Sequence, residues 1–226
     1  MDRSIIPSMM EVTCAQPTSM VSDLEKACKI ANQLDVAVVW GHNLYIPKIL
    51  EMLKPGSKTV TGTGCGYPLG SDCTASKIAS IKEGISLGAK EIDMTANFLA
   101  LKHGMYDYYY NDVKAIVDNS EGLPVKIIIE VCYLTDDEIK RSCELAVKAG
   151  VTYIKTGTGY GPTPTTVDHI KMIKSIVGDD CLIKASGGVR SADVLEQMYE
   201  AGARRFGISL NGSIGILEQL GYKLDL

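Results

Sequence analysis

Short apolar runs alternate with longer amphipathic stretches from one end of the chain to the other. Runs at 9–13, 36–40, 59–66, 91–97, 125–131, 152–158, 181–186 and 205–209 are β-rich and too short for helices, so they predict eight strands. Between them the apolar spacing changes to three and four, which predicts helices over 24–34, 73–87, 106–117, 139–149, 165–177 and 192–201. Ser22 with Glu25, and Thr135 with Glu138, have capping-box spacing ahead of two of these. Strands separated by helices form parallel βαβ units, and eight of them predict an α/β fold of the closed TIM (β/α)8 barrel type. An open doubly wound sheet is the alternative. No composition break interrupts the pattern, so one domain over residues 1–226 is expected.

A weak internal repeat sets the register of that barrel. Leu87-Gly88-Ala89-Lys90-Glu91-Ile92-Asp93, Ala149-Gly150-Val151-Thr152-Tyr153-Ile154-Lys155 and Ala201-Gly202-Ala203-Arg204-Arg205-Phe206-Gly207 each put a helix-stopping glycine ahead of a strand. Asp93, Lys155 and Gly207 fall five residues after that glycine. They are expected at similar heights, near the C-terminal mouth where the loops of such barrels converge on a site.

Composition narrows the picture. With 46% hydrophobic and 22% charged residues among 226, the chain is an ordinary globular protein able to bury a large core. A net charge of −4 with scattered Lys and Arg predicts no nucleic-acid partner. The seven cysteines include no C-x-x-C pair and predict reduced thiols, hence a cytoplasmic protein. No segment approaches the roughly 20 apolar residues of a membrane span, so no membrane partner is expected. His42, His103 and His169 share no ligand spacing, and no metal is expected.

Strand alternation then assigns the interior. Ile92 and Met94, Ile127 and Ile129, Ile183 and Ala185, and Met10 and Val12 form outward apolar faces. Asp93, Glu130, Lys184 and Glu11 are left pointing inward, and Lys155 shares the face of Val151 and Tyr153. Two lysines and three carboxylates inside a barrel are either an ion-pair network that pins it closed or a catalytic centre. Desolvation and a second ammonium both drive the proton off a lysine, and a neutral amine attacks carbonyls. The other reading of Lys155 is a stem that packs while its head reaches solvent.

Two glycine-bearing stretches sit where such barrels bind phosphate, Ser186-Gly187-Gly188-Val189-Arg190-Ser191 and Gly207-Ile208-Ser209-Leu210-Asn211-Gly212. Either could instead be a plain turn. Trp40, the one tryptophan, ends its strand either as a pocket wall or as a packed core indole. Cys65 and Cys132 read as small apolar fillers near strand ends.

With these residues in view, the chain resembles the deoxyribose-phosphate aldolases, Schiff-base enzymes on a TIM barrel. The likeness spans about residues 9–216 and is carried by five stretches. They are Gly66-Tyr67-Pro68-Leu69-Gly70, Glu91-Ile92-Asp93-Met94, Ile128-Ile129-Glu130-Val131-Cys132-Tyr133-Leu134, Tyr153-Ile154-Lys155-Thr156-Gly157-Thr158-Gly159 and Lys184-Ala185-Ser186-Gly187-Gly188-Val189-Arg190. The resemblance implies that Lys155 forms the imine while Asp93 and Lys184 move protons through a water. It implies phosphate contacts from Gly159, Gly187, Gly188, Arg190 and Ser209, with Gly207 expected beside them, while Glu11, Thr13, Trp40, Glu130 and Thr158 are the expected substrate contacts. The implied reaction cleaves 2-deoxyribose 5-phosphate to glyceraldehyde 3-phosphate and acetaldehyde, with no cofactor and with a homodimer plausible by analogy.

The chain departs from the family pattern in four places. Glu11 stands where Asp is common, Trp40-Gly41-His42-Asn43 replaces a Cys-Val-Asn-Pro run, Gly157 replaces a serine, and Leu210 replaces the second of two serines. These leave room for a related Schiff-base aldolase acting on another phosphosugar. Two other readings of the same barrel are a phosphosugar isomerase or epimerase with Asp93 or Glu130 as base, and a non-catalytic sugar-phosphate sensor.

Overall fold

A computed structural model describes residues 2–226. Among them, eight parallel strands close on themselves in sequence order, β1 next to β2 and finally β8 next to β1. The strands are β1 (Met10–Thr13), β2 (Val38–Trp40), β3 (Val60–Cys65), β4 (Glu91–Thr95), β5 (Val125–Ile128), β6 (Tyr153–Lys155), β7 (Leu182–Ser186) and β8 (Arg205–Ser209). The helices are α1 (Val21–Leu34), α2 (Ile46–Met52), α3 (Thr74–Ser86), α4 (Phe98–Lys102), α5 (Tyr106–Asp118), α6 (Asp136–Ala149), α7 (Val167–Val177), α8 (Ala192–Glu200) and α9 (Leu210–Gln219). The barrel is the closed (β/α)8 form, and all eight expected strands are present. No helix among the described residues is long and apolar enough to cross a membrane.

The apolar core lies between the strands and the helices. Ile92, Met94, Ile127, Ile154, Ile183, Ala185, Phe206 and Ile208 are buried there against Leu24, Ile81, Ile116, Ile139, Ile170 and Leu195. A side chain on every second strand residue meets this layer, which leaves the alternate residues for the barrel interior. Close approach is achieved by a glycine in α3, since a Cβ on Gly84 would stand 2.0 Å from the Thr63 hydroxyl.

Three helices were not anticipated. α2 and α4 are short, and α9 starts directly at Leu210, so the stretch 207–212 is strand end followed by helix and not a turn; β8 runs to Ser209, whose hydroxyl caps α9 by accepting from Gly212 N at 3.3 Å. The capping box at Thr135 and Glu138 forms, with Thr135 N donating to the Glu138 carboxylate at 2.8 Å. That proposed for Ser22 and Glu25 does not: α1 starts at Val21, and the Asp23 carboxylate accepts from Met20 N at 2.8 Å.

Candidate active site

Lysines dominate the interior near the mouth. Parallel register sets Lys155 beside Lys184 and Asp93 beside Lys126 across neighbouring strands. Lys155 Nζ lies 2.7 Å from Asp93 Oδ2, and Lys184 Nζ lies 2.8 Å from the same oxygen. Lys184 also pairs with Glu11. Gly207 supplies the space, because a Cβ there would come within 3.1 Å of the Lys184 stem.

Beneath this pair the network continues through residues the sequence reading overlooked. Lys126, fully buried, contacts Glu91 at 2.6 Å and both Asp93 and Glu11 at 3.1 Å. Arg205 reaches Glu91 at 3.3 Å and Glu11 at 3.5 Å. The signal for Lys126 was the one that marked Lys155, a lone lysine inside an apolar strand.

Four cationic side chains therefore face three carboxylates. Burial opposes charge on Asp93, yet Lys126, Lys155 and Lys184 outweigh it and hold its carboxyl well below the usual range. Glu11 is also lowered: burial pushes it up, and Lys126 and Lys184 more than reverse that. Burial is the largest influence on Lys184, and with the repulsion of Lys126 and Lys155 it prevails over Asp93 and Glu11, bringing the amine down to about 8. One buried cation too many is thus relieved at Lys184, whose proton becomes exchangeable near neutrality.

Glu130 does not join that cluster. The chain leaves the strand conformation at this residue, which has a left-handed backbone (φ 57°), and alternation no longer describes where its side chain goes. Its carboxylate accepts from Thr158 N at 3.1 Å and from the Thr158 hydroxyl, fastening the loop after β6. A Cβ on Gly157 would stand 2.8 Å from Glu130 Oε1, so glycine makes room for this brace.

Trp40 covers the amines. Its ring centroid is 5.4 Å from Lys126 and Lys184 and 6.0 Å from Lys155, within cation–π range. The ring lies over a glycine shelf in β3, where a Cβ on Gly62 would sit 2.0 Å from it. Trp40 is therefore a wall of the site and not a core indole. Cys65 opens onto the same space, but burial pushes its thiol up to about 12 and keeps it protonated. Cys132 is only partly buried and touches Glu130 at 3.6 Å.

The mouth is a groove in three parts. A cavity of about 250 Å³ is lined by Thr13, Gln16, Ser186 and Val189 together with all the expected phosphate residues: Gly159, Gly187, Gly188, Arg190, Gly207 and Ser209. α8 and α9 begin at its edge, and helix N-termini attract anions. Gly188 is obligatory there, since a Cβ would stand 2.2 Å from Thr165 O. Leu210 is buried at the start of α9 and does not line it. A narrow neck of about 40 Å³ carries Thr13, Thr158, Tyr67, Trp40 and Lys155. Beyond Lys155 a second cavity of about 280 Å³ opens, with Trp40, His42, Asn43, Asp72 and Ser80 on its walls. Tyrosines tie the loops over the neck: Tyr67 donates to Thr158 O at 2.9 Å, Tyr160 donates to Ala15 O at 3.1 Å, and their rings meet edge to face at 5.6 Å.

Comparison with known proteins agrees with this fold. Residues 12–215 match the model of the DeoC/LacD family of aldolases. A deoxyribose-phosphate aldolase of Dictyoglomus turgidum is 37% identical over 95% of this chain and 97% of its own. Among solved structures, one described as QR15, an aldolase, superposes with a TM-score of 0.88 at 29% identity, covering 95% of each chain. The deoxyribose phosphate aldolase of Aeropyrum pernix, described as a tetramer, shares the fold at 23% identity with a TM-score of 0.85, over 96% of this chain and 92% of that one.

Proposed function

The chain belongs to the DeoC/LacD family of aldolases, and from that premise we propose that it is a carbon–carbon lyase working through a Schiff base on Lys155. Its proposed reaction is the reversible cleavage of 2-deoxy-D-ribose 5-phosphate to glyceraldehyde 3-phosphate and acetaldehyde. The observation that carries this reading is the amine of Lys155, 2.7 Å from Asp93, at the end of a neck leading from the glycine-lined cavity.

In this reading the phosphate lies among Gly159, Gly187, Gly188, Gly207 and Ser209, with Arg190 at the exposed rim. The open-chain sugar extends through the neck past Thr13 and Thr158 and presents C1 to Lys155. Attack by the free amine and loss of water give the imine, whose protonated form draws electrons from the C2–C3 bond. As that bond breaks, the proton of the C3 hydroxyl passes by way of a water to the Lys184 and Asp93 pair. Glyceraldehyde 3-phosphate leaves, the enamine takes a proton at C2, and hydrolysis frees acetaldehyde and Lys155. Glu11 keeps Lys184 aimed at Asp93, Glu130 holds Thr158, and Trp40 shields the cationic imine.

We take the protein to act in the cytoplasm on a small phosphosugar, as a homodimer, without a cofactor; light scattering measures the subunit count. Borohydride reduction in the presence of substrate tests the chemistry. The expected product is one covalent adduct at Lys155 found by peptide mass spectrometry, and a phosphosugar turned over with no adduct contradicts the Schiff base.

A further inference from the structure

The cavity beyond Lys155 is not needed by the reaction just described. An imine of 2-deoxyribose 5-phosphate carries only hydrogen on the side of C1 that faces away from the phosphate. Yet about 280 Å³ lies there, room for about nine waters at roughly 30 Å³ each.

At its inner end stand Lys155, Asp93, Tyr67 and Trp40, and beyond them its walls are of two kinds. Asn43 donates to Ser80 O at 3.3 Å and accepts from the Thr63 hydroxyl at 2.8 Å, while Ser80 donates to Gly64 O at 3.0 Å. That side is locked in place. At the opening stand His42 and Asp72, both exposed, and among the described residues neither side chain has a hydrogen-bond or ion-pair partner. One can donate and the other accept, the pair a hydroxyl group needs. Asp72 also repels a phosphate, which favours a hydroxyl over an anionic group there.

We propose that this cavity binds a hydroxymethyl substituent on the donor carbonyl, so that the enzyme takes hydroxyacetone-type ketones and cleaves the matching 3-deoxy-2-ketohexose 6-phosphates. The proposal rests on the aldolase reading and extends it to the donor. Lys155 forms the imine at C2 with loss of water, and the C3–C4 bond breaks with its electron pair entering the enamine. The O4 proton goes to the Lys184 and Asp93 pair, and glyceraldehyde 3-phosphate departs. C3 takes a proton to become a methyl group, and water releases hydroxyacetone without net oxidation.

The test compares acetaldehyde, acetone and hydroxyacetone as donors to glyceraldehyde 3-phosphate, by kcat/KM and by borohydride trapping. Hydroxyacetone is expected to exceed acetone about tenfold, the effect of a well-made hydrogen bond to a charged group. His42→Ala and Asp72→Ala are each expected to lower the ratio of hydroxyacetone to acetaldehyde kcat/KM about tenfold. Acetaldehyde that traps and turns over while hydroxyacetone does no better than acetone overturns the donor pocket and leaves the aldolase reading standing. Equal losses on both donors in the two variants overturn it as well. Failure of every donor to trap on Lys155 removes the aldolase reading itself, and this proposal with it.

Discussion

At the scale of single residues, the proposed chemistry rests on lysines that are close together yet not equivalent. Lys155→Arg keeps a cation that cannot form an imine, so turnover should fall by on the order of 10³-fold or more while circular dichroism stays unchanged. For Lys184, with its amine near 8, kcat/KM should rise with pH through that value as the base form accumulates. Lys184→Gln should lose roughly 10²–10⁴-fold and flatten that limb of the profile; an inflection that survives the change would assign it to another group. The same shift acts on stability. Its folded value lies below the unfolded 10.5, so the unfolded chain holds more protons on this group between about 8 and 10.5. Its contribution therefore grows with pH across that window and is least favourable below 8. The inward face of Lys155, Lys184 and Asp93 was legible from strand parity, because the apolar residues beside each take the outer face, while parity left open whether they pin the barrel or do chemistry. Glu130 was misread because parity ends where the backbone turns left-handed.

At the scale of elements, the loops and strand ends of the proposed substrate groove pack so closely that at Gly188 and Gly62 a side chain is not tolerated. Gly188→Ala pushes a methyl into Thr165 O, so the loop after β7 must move. The KM for the phosphosugar should rise about tenfold or more, while unphosphorylated 2-deoxyribose is affected far less. Gly62→Ala displaces the Trp40 ring from its shelf in β3. Since Trp40 is the only tryptophan, its emission should shift in that variant and, in the wild type, change when the imine forms beside it; an unaltered spectrum in both cases would place the ring elsewhere. The eight strands and six of the helices were visible in the apolar spacing. α2, α4 and α9 were not, the first two because seven and five residues display hardly more than a turn or two of periodicity, and α9 because it starts where a strand ends, with no loop to mark the change.

For the whole molecule, ring closure concentrates charge that single strands carry harmlessly. Glu11 and Asp93 have folded values below their unfolded 4.5 and 3.8, so their contribution is present above about pH 4.5 and is lost as pH falls through the lower folded values. The melting temperature should drop steeply below pH 4, and a Glu11→Gln variant should show a shallower drop from an already lower start. The sequence by itself determined the order of strands and helices, the inward face of most strands and the glycine-rich stretches after β6 and β7, because each is a property of neighbours along the chain. Only the tertiary structure decided that Glu91 and Arg205 join the network, that Glu130 serves a loop, that Trp40 roofs three amines, and that a second cavity lies past Lys155. Those facts depend on how eight strands stagger around a closed ring, and distances across a ring are not encoded in the spacing of residues along any one strand.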